Sequence, residues 1–228
     1  SAAVGAEQVL HDDRSRAHFA HDLFHSGRPP ACVVVPLTPE HVVDAVRVAT
    51  SAGHAVVPRG GGMSYTGGYV ADDENAVLFD LRRLDRVLQI DEVNRFVTVE
   101  AGCTWASLHE ALAAKGLRTP YWGPLSGQRA SIGGTISQNS VFFGSVRHGS
   151  AAESVLSVDV VLADGTRMRT GSAGDVDGKP YVGTEDGLEP LPPDQVTIAN
   201  GVVTEAEGYD IVAGDELGGI DQQLTELV

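Results

Sequence analysis

An amphipathic stretch lies between two strand-like apolar runs near the start of the chain. The runs cover residues 32–36 (CVVVP) and 54–58 (HAVVP), and both have the length and the β-branched content of a strand. Between them, apolar residues recur every three or four positions from 42 to 49, which predicts a helix. Thr38 stands where its N-cap should be, and Gly53 stands just past its end. The pattern therefore predicts a β-α-β unit.

Three more strands and a second helix are predicted between residues 76 and 116. Residues 76–81 (AVLFDL) form one strand candidate. Residues 85–91 and 95–102 alternate apolar and polar positions around a short turn, so we expect them to pair as a hairpin. Thr104 then precedes a second amphipathic helix, which should end at Gly116.

Dipeptides typical of hairpin turns mark the last third of the chain. Asp164-Gly165 predicts a two-residue turn within residues 153–170, and Asn200-Gly201 predicts another further on. The Gly-, Pro- and Asp-rich segment 171–194 is expected to be irregular, and residues 219–228 are expected to form a short helix.

Together these elements predict an α+β fold with two lobes. The first lobe covers residues 1–81 and the second covers residues 82–172, and each carries one glycine-rich loop. Residues 173–228 would follow as an acidic linker and a β-hairpin tail.

Charge separates the tail from the body of this 228-residue chain. The net charge is −15, of which residues 1–170 carry −3 and residues 171–228 carry −12. Without a basic stripe, binding of nucleic acid or of an anionic lipid surface is not expected. No apolar run approaches the length of a membrane span, and the start of the chain does not resemble a signal peptide. With two cysteines predicted to be free thiols, we expect a soluble, cytoplasmic protein.

The most informative motif is the stretch VVPRGGGMSYTGGY, in which five glycines fall within the nine residues 60–68. Consecutive glycines allow main-chain N–H groups to converge on an anion, above all on phosphate. A Walker A loop would need a lysine, and none is near. A dinucleotide fingerprint would need a glycine where Tyr65 stands, although Asp80 has the spacing of a ribose-binding acid. A purely structural crossing of two backbones is an open alternative.

A second glycine-rich segment follows the second predicted helix. It places Gly133 and Gly134 before Ser137 and Asn139, with further glycines beyond. A dinucleotide is long and has its diphosphate in the middle, so two such loops on two lobes suit a ligand that lies between them.

The order of three motifs resembles the FAD-binding domain of the vanillyl-alcohol oxidase/PCMH flavoprotein superfamily. The motifs are PRGGGMSYTGG at 58–68, GPLSGQRASIGGTISQNSVFFGSVRHG at 123–149 and ESVLSVDVVLADGTRMRTG at 153–171. The likeness covers about residues 20–172. It is nearest to the FAD-linked oxidases that include glycolate oxidase and D-lactate dehydrogenase, which have two α+β subdomains with FAD between them.

The resemblance implies a set of cofactor-binding residues. The diphosphate would lie on the loop after Pro58, formed by Arg59, Gly60, Gly61, Gly62, Met63 and Ser64. The other lobe would contribute Gly133, Gly134, Ser137 and Asn139 toward the ribityl chain and the diphosphate, Gly144, Arg147 and Gly149 on the flavin side, and Val160 beside the adenine or the ring. His148 is the candidate proton-handling residue, and a structural hydrogen-bonding role for it is an open alternative.

Two departures from the family refine the expectation. Relatives with covalent flavin often carry a histidine in the first loop, where this chain has Met63 and Ser64, so FAD should be bound non-covalently. A substrate-covering cap domain is not recognised after residue 170, which implies a second polypeptide that carries the cap, or a truncated chain. We therefore expect an FAD-dependent module that oxidises a small alcohol or 2-hydroxy acid by hydride transfer, or alternatively an accessory or electron-relay subunit.

Two secondary expectations complete the sequence-based hypothesis. His18, His21 and His25 would share a face if residues 18–25 were helical, but an exposed amphipathic helix is favoured over a metal site. Valine at Gly61 and Gly62 should abolish FAD retention without unfolding the chain.

Overall fold

A computed structural model describes residues 3–120 and 123–171 in full, and five backbone strands between residues 175 and 206. The helices are α1 Asp13–His18, α2 Pro39–Ser51, α3 Trp105–Ala113, α4 Ile132–Ser137 and α5 Ser145–His148. The first strands are β1 Val9–Leu10, β2 Cys32–Val34, β3 Val56–Arg59, β4 Val77–Asp80, β5 Val87–Asp91 and β6 Phe96–Val99. The remaining strands are β7 Asp159–Val161, β8 Arg167–Arg169, β9 Asp175–Val176, β10 Lys179–Thr184, β11 Gly187–Pro190, β12 Val196–Ala199 and β13 Val202–Ala206. Short 3-10 turns cover Ala6–Gln8, Leu81–Arg83 and Ala151–Ser154.

The chain divides into two compact units. The first contains residues 1–156 and 161–166, and the second contains residues 157–160 and 167–228. Both glycine-rich segments lie in the first unit, so their mutual geometry can be described directly.

The predicted β-α-β unit forms the centre of the first unit. Its sheet has the order β1-β2-β4-β3, in which β2 and β3 both run parallel to β4. Helix α2 covers one face and packs its Val46 against Val34 and Phe79. On the other face, Phe19 packs against Val33 and Leu78. Because successive residues of a strand point to opposite faces, β2 and β4 supply both cores.

Side-chain caps fix the starts of the two long helices as predicted. The Thr38 hydroxyl accepts the N–H of His41, and the Thr104 hydroxyl accepts the N–H of Ser107. Gly53, after α2, has φ of +80°, which is a conformation that glycine adopts without steric penalty. Strands β5 and β6 pair antiparallel as expected, and their Val87 and Val97 pack with the buried Leu108 of α3.

Several predictions about local structure are wrong. The turn at Asp164-Gly165 is longer than two residues, because the N–H of Leu162 donates to the carbonyl of Thr166 and Gly165 takes φ of +82°. Helix α1 ends at His18, so His18, His21 and His25 do not lie along one helix.

The segment 171–194 contains strands instead of an irregular linker. Strand β10 pairs antiparallel with β9 and with β11, with Val176 opposite Lys179 and Thr184 opposite Gly187. The hairpin predicted around Asn200-Gly201 is present, with Ala199 of β12 opposite Val202 of β13. The helix expected at 219–228 lies outside the described residues.

Candidate functional site

The glycine-rich loop leaves the end of β3 and crosses residues 129–131 at very close range. A Cβ atom on Gly60 would overlap the Ser131 hydroxyl, and one on Gly61 would overlap the carbonyl oxygen of Arg129. Only glycine fits at either position. The structural-crossing interpretation is therefore correct for these two residues.

Two side chains of the second segment hold it to the loop. The Ser131 hydroxyl accepts the N–H of Gly61 at 3.4 Å and the N–H of Gly134 at 3.3 Å, and it also caps α4. The Gln138 amide nitrogen donates to the Ser64 hydroxyl at 2.8 Å. The two glycine-rich segments are thus in direct contact, whereas the sequence analysis predicted only that a ligand would lie between them.

The far part of the loop keeps main-chain donors available. In the part of the chain that the structure describes, the N–H groups of Gly62, Met63 and Ser64 have no acceptor. All three residues are half-buried, and Gly62 has φ of +66°. Adjacent unsatisfied N–H groups beside a positive φ are the elements of an anion-binding nest.

A buried cation lies beneath these amides. Arg59 is 7% exposed, and its guanidinium lies 4.8 Å from the Phe19 ring centroid and 5.0 Å from that of Tyr69. A Cβ on Gly62 would lie 2.5 Å from its Nη2 atom, so this nitrogen sits directly under the loop. Burial lowers the pKa of Arg59, but an arginine still remains charged at neutral pH.

Two nitrogens of that guanidinium lack partners. Nε and Nη1 of Arg59 are buried and make no hydrogen bond to any described residue. An unsatisfied buried donor costs about 1–3 kcal/mol, and more when the group is charged. The arrangement of free amides over an unsatisfied cation therefore suits an anionic group such as a phosphate.

The dinucleotide-fingerprint interpretation fails on Asp80. Its buried carboxylate accepts hydrogen bonds from Nε of Arg82 at 2.8 Å and from Nη2 of the same residue at 2.6 Å. It is therefore not free to bind the hydroxyl groups of a ribose. No helix follows the glycines, because residues 60–76 contain no regular element.

The residues predicted on the second segment use much of their hydrogen-bonding capacity within the protein. The Gly133 N–H donates to Ala101, and a Cβ there would press on the same residue. The Ser137 hydroxyl donates to the Gly133 carbonyl at 2.9 Å. The Asn139 side-chain oxygen accepts the N–H of Ala152 at 3.0 Å. These contacts show that the residues shape the segment itself.

The other predicted residues lie further along the chain. Gly144 and Gly149 flank α5 with φ of +108° and +73°, and Arg147 and His148 on α5 are exposed. No hydrogen bond among the described residues joins α5 to the first loop. Pro58 is exposed on β3, and Val160 lies on β7, in the second unit.

A small cleft borders the crossing. It has a volume of about 180 Å³. It is lined by Gly61, Arg82, Asp85, Gly102, Thr104, Ser107, Gln128 and Arg129. This volume is below the roughly 300–1,000 Å³ of a pocket that encloses a whole ligand, so it suits only part of a nucleotide.

Two features are absent from the part of the chain that the structure describes: a cluster of metal ligands and a membrane-spanning helix. No three His, Cys, Asp or Glu side chains cluster there as metal ligands would. No helix there combines the length and the apolar character that crossing a membrane requires.

Comparison with known proteins gives matches in the same region. The model of the FAD binding domain matches residues 30–171. An uncharacterized FAD-linked oxidoreductase of Mycobacterium tuberculosis is 34% identical over 75% of this chain and 37% of its own length. A probable mitochondrial D-lactate dehydrogenase of Danio rerio is 34% identical over 69% of this chain and 31% of its own length.

A third relative and a solved structure agree with these matches. The glycolate oxidase subunit GlcD of Bacillus subtilis is 31% identical over 78% of this chain and 36% of its own length. The crystal structure of p-cresol methylhydroxylase with bound substrate superimposes with a TM-score of 0.65 at 20% identity, over 75% of this chain and 33% of that one. This likeness confirms the expected α+β, PCMH-type fold. The chain spans about a third of the length of the relatives it matches.

The crossing yields a stability prediction and corrects the expectation for valine at Gly61. That variant should unfold the chain, because even an alanine Cβ at Gly61 overlaps a main-chain carbonyl. We expect Gly61→Ala to lower the free energy of unfolding by about 2 kcal/mol or more, as overpacking does. Urea denaturation followed by circular dichroism measures the change.

Gly68→Ala is the matched control for this variant. Gly68 belongs to the same loop, is exposed, and would place its Cβ no closer than 3.8 Å to any atom. Its stability should change by less than about 0.5 kcal/mol. Equal stability of the two variants would contradict the crossing.

Proposed function

The chain belongs to the FAD binding domain family, and from this membership we propose that its glycine-rich loop binds the diphosphate of a non-covalently held FAD. The observation that carries the proposal is the set of free N–H groups at Gly62, Met63 and Ser64 above the unsatisfied guanidinium of Arg59. A diphosphate is the part of FAD that carries negative charge, and it would satisfy both sets of donors. The residues present therefore fit this cofactor.

Each part of the proposed site has a separate role. Gly60 and Gly61 hold the loop against the second segment, and the three residues after them present their N–H groups. The second-segment residues from Gly133 to Gly149, together with Pro58 and Val160, remain assigned to the cofactor as part of the proposal. Met63 offers no nitrogen for attachment to a flavin ring, which supports non-covalent binding.

FAD, when bound, supplies an acceptor for the hydride of an oxidised alcohol carbon. The chain would orient it by its diphosphate and keep the diphosphate charge neutralised. His148 is exposed on α5, and we assign it the acceptance of the substrate hydroxyl proton.

The proposed substrate class is a small 2-hydroxy acid. The relatives named above include a D-lactate dehydrogenase and a glycolate oxidase subunit, and the substrates in both names are 2-hydroxy acids. Because this chain spans about a third of those proteins, the rest of the substrate site would come from a cap domain or from a partner polypeptide. The same coverage favours a second candidate, an accessory or electron-relay flavin subunit without its own catalysis.

Removing the buried charge should weaken FAD binding selectively. Arg59→Met keeps an unbranched stem between the two rings but loses the cation and its donors, so we expect FAD affinity to fall by about tenfold or more. Affinity for riboflavin, which lacks the diphosphate, should change little. Titration of flavin fluorescence with the protein measures both constants.

The control for this experiment is Arg118→Met, which removes an exposed arginine that lies outside both glycine-rich segments. It should leave the ratio of FAD to riboflavin affinity unchanged. An unchanged ratio in Arg59→Met would contradict the role of Arg59 in binding the diphosphate.

Non-covalent binding predicts that the flavin leaves the unfolded chain. After acid precipitation of the FAD-loaded protein, we expect the yellow colour in the supernatant, because no described side chain of the first loop carries an attaching histidine. Absorption spectra of the supernatant and of the redissolved pellet measure the distribution. Colour retained in the pellet after washing would refute the non-covalent assignment.

The substrate proposal predicts reduction of bound FAD by 2-hydroxy acids. Under anaerobic conditions, lactate or glycolate should bleach the visible flavin absorbance of the loaded protein, whereas 3-hydroxypropionate, with its hydroxyl one carbon further away, should not. Retained FAD that no 2-hydroxy acid bleaches would instead favour the accessory subunit.

A further inference from the structure

The carboxylate of Asp22 is buried and saturated with main-chain donors. Its side chain is 0% exposed. One oxygen accepts the N–H of Phe24 at 2.7 Å and that of His25 at 2.6 Å, and the other accepts the N–H of Gly67 at 2.7 Å. The last of these bonds joins residues 45 positions apart and reaches the far end of the glycine-rich loop.

Asp22 belongs to a segment, residues 19–28, that contacts the loop along its length; we call this segment the N-terminal strap. At its end, the Arg28 N–H donates to the Ala71 carbonyl at 2.9 Å, and a Cβ on Gly27 would overlap that same carbonyl. In its middle, the Phe24 and Tyr65 rings meet edge to face at 6.1 Å. At its start, Phe19 stacks on Arg59. The strap therefore contacts the residue before the glycines as well as the residues after them.

A loop with five glycines has many conformations to lose when it closes on a ligand. A contact that fixes the loop beforehand removes that entropic cost from binding. The crossing with Ser131 fixes Gly60 and Gly61, but the residues with free N–H groups lie between the crossing and Gly67. Gln138 and Tyr69 bind Ser64 within this span, and Asp22 binds the main chain at its far end, Gly67.

We propose that Asp22 is a positioning residue that anchors the glycine-rich loop through Gly67 and so preorganises its free N–H groups for an anionic ligand. This inference rests on the proposed function, in which the ligand is the diphosphate of FAD. Asp22 itself does not contact the ligand. It acts through the main chain of the loop.

The ionisation of Asp22 agrees with this role. Although burial raises its pKa, the hydrogen bonds from His25, Phe24 and Gly67 outweigh that effect, and the pKa falls to about 2. The carboxylate is therefore charged at neutral pH and binds the amides as an anion would. Its hydrogen bonds are of the stronger, charge-assisted kind.

Two physical effects of Asp22 on an anionic ligand have opposite signs, which makes the inference testable. By charge alone, removal of a nearby carboxylate should strengthen the binding of a diphosphate. By positioning, the same removal should weaken it, because the loop loses its anchor. Asp22→Asn separates the two, since an amide cannot supply acceptors to all three N–H groups as the carboxylate does.

The experiment compares wild type, Asp22→Asn and Asp72→Asn by FAD and riboflavin titration and by hydrogen–deuterium exchange. Asp72 is exposed and lies five positions after Gly67. Its substitution by asparagine removes the same charge as Asp22→Asn but breaks no described contact. For Asp22→Asn we expect FAD affinity to fall by about tenfold, with riboflavin affinity unchanged and faster exchange across residues 62–68 in the ligand-free protein. Asp72→Asn should match wild type in all three measurements.

Tighter or unchanged FAD binding by Asp22→Asn, or unchanged exchange across the loop, overturns the inference. A parallel loss of FAD and riboflavin affinity also overturns it, because that result indicates general destabilisation. A wild-type chain that binds no FAD refutes the proposed function, and the exchange rates alone then decide whether Asp22 anchors the loop.

Discussion

The close crossing of the glycine-rich loop with residues 129–131 is the constraint on which the site depends. It brings together two parts of the chain that are 70 positions apart, and the Ser131 hydroxyl bridges them by accepting the N–H groups of Gly61 and Gly134. Because Gly60 and Gly61 have no Cβ, the two segments of backbone can approach closely enough for the hydrogen bonds to Ser131 to form. The structural crossing thus accounts for Gly60 and Gly61, and the proposed anion nest concerns the residues that follow them in the same loop.

Two aromatic rings help the protein to tolerate the buried arginine that precedes the crossing. Arg59 is held between two aromatic rings, where cation–π attraction of about 0.5–2 kcal/mol offsets part of its desolvation. Two of its nitrogens nevertheless remain unsatisfied among the described residues. Proteins keep buried polar groups without hydrogen-bond partners mainly at functional positions, where a bound ligand satisfies them. Together with the free N–H groups above it, this residue supplies the donors that the proposed diphosphate would bind.

Local signals in the sequence predicted the regular elements well. Thr38 and Thr104 were identifiable as caps because a capping hydroxyl and its N–H partner are three residues apart. The strands in 171–194 were missed because Asp177-Gly178, a hairpin signal like the two that were recognised, was counted as part of a linker. The two glycine-rich segments were also recognisable, because their motif order carried the resemblance, but their direct contact was not predicted.

What the sequence did not reveal were the long-range partners. Ser131, Gln138 and Asp22 act through contacts with residues 45 to 74 positions away, and no spacing rule connects such positions. Ser131 carried a weak signal, since a serine before Ile-Gly-Gly resembles a helix cap, but nothing indicated that its hydroxyl also reaches Gly61. The sequence showed that Arg59 carries a positive charge, but it did not show that its side chain is buried. Side-chain partners of this kind become visible only once the fold has placed them.

Two distant parts of the chain thus converge on the glycine-rich loop: the N-terminal strap and the segment that carries Ser131. Each contact closes a long loop of chain, whose entropic cost grows only slowly with its length but must be met before the contact forms. The pairing of β2 with β4 closes a stretch of comparable length, since Cys32 and Val77 are 45 positions apart, as Asp22 and Gly67 are. It follows that the geometry of the glycine-rich loop depends on the whole unit more than on the glycine motif that identifies it.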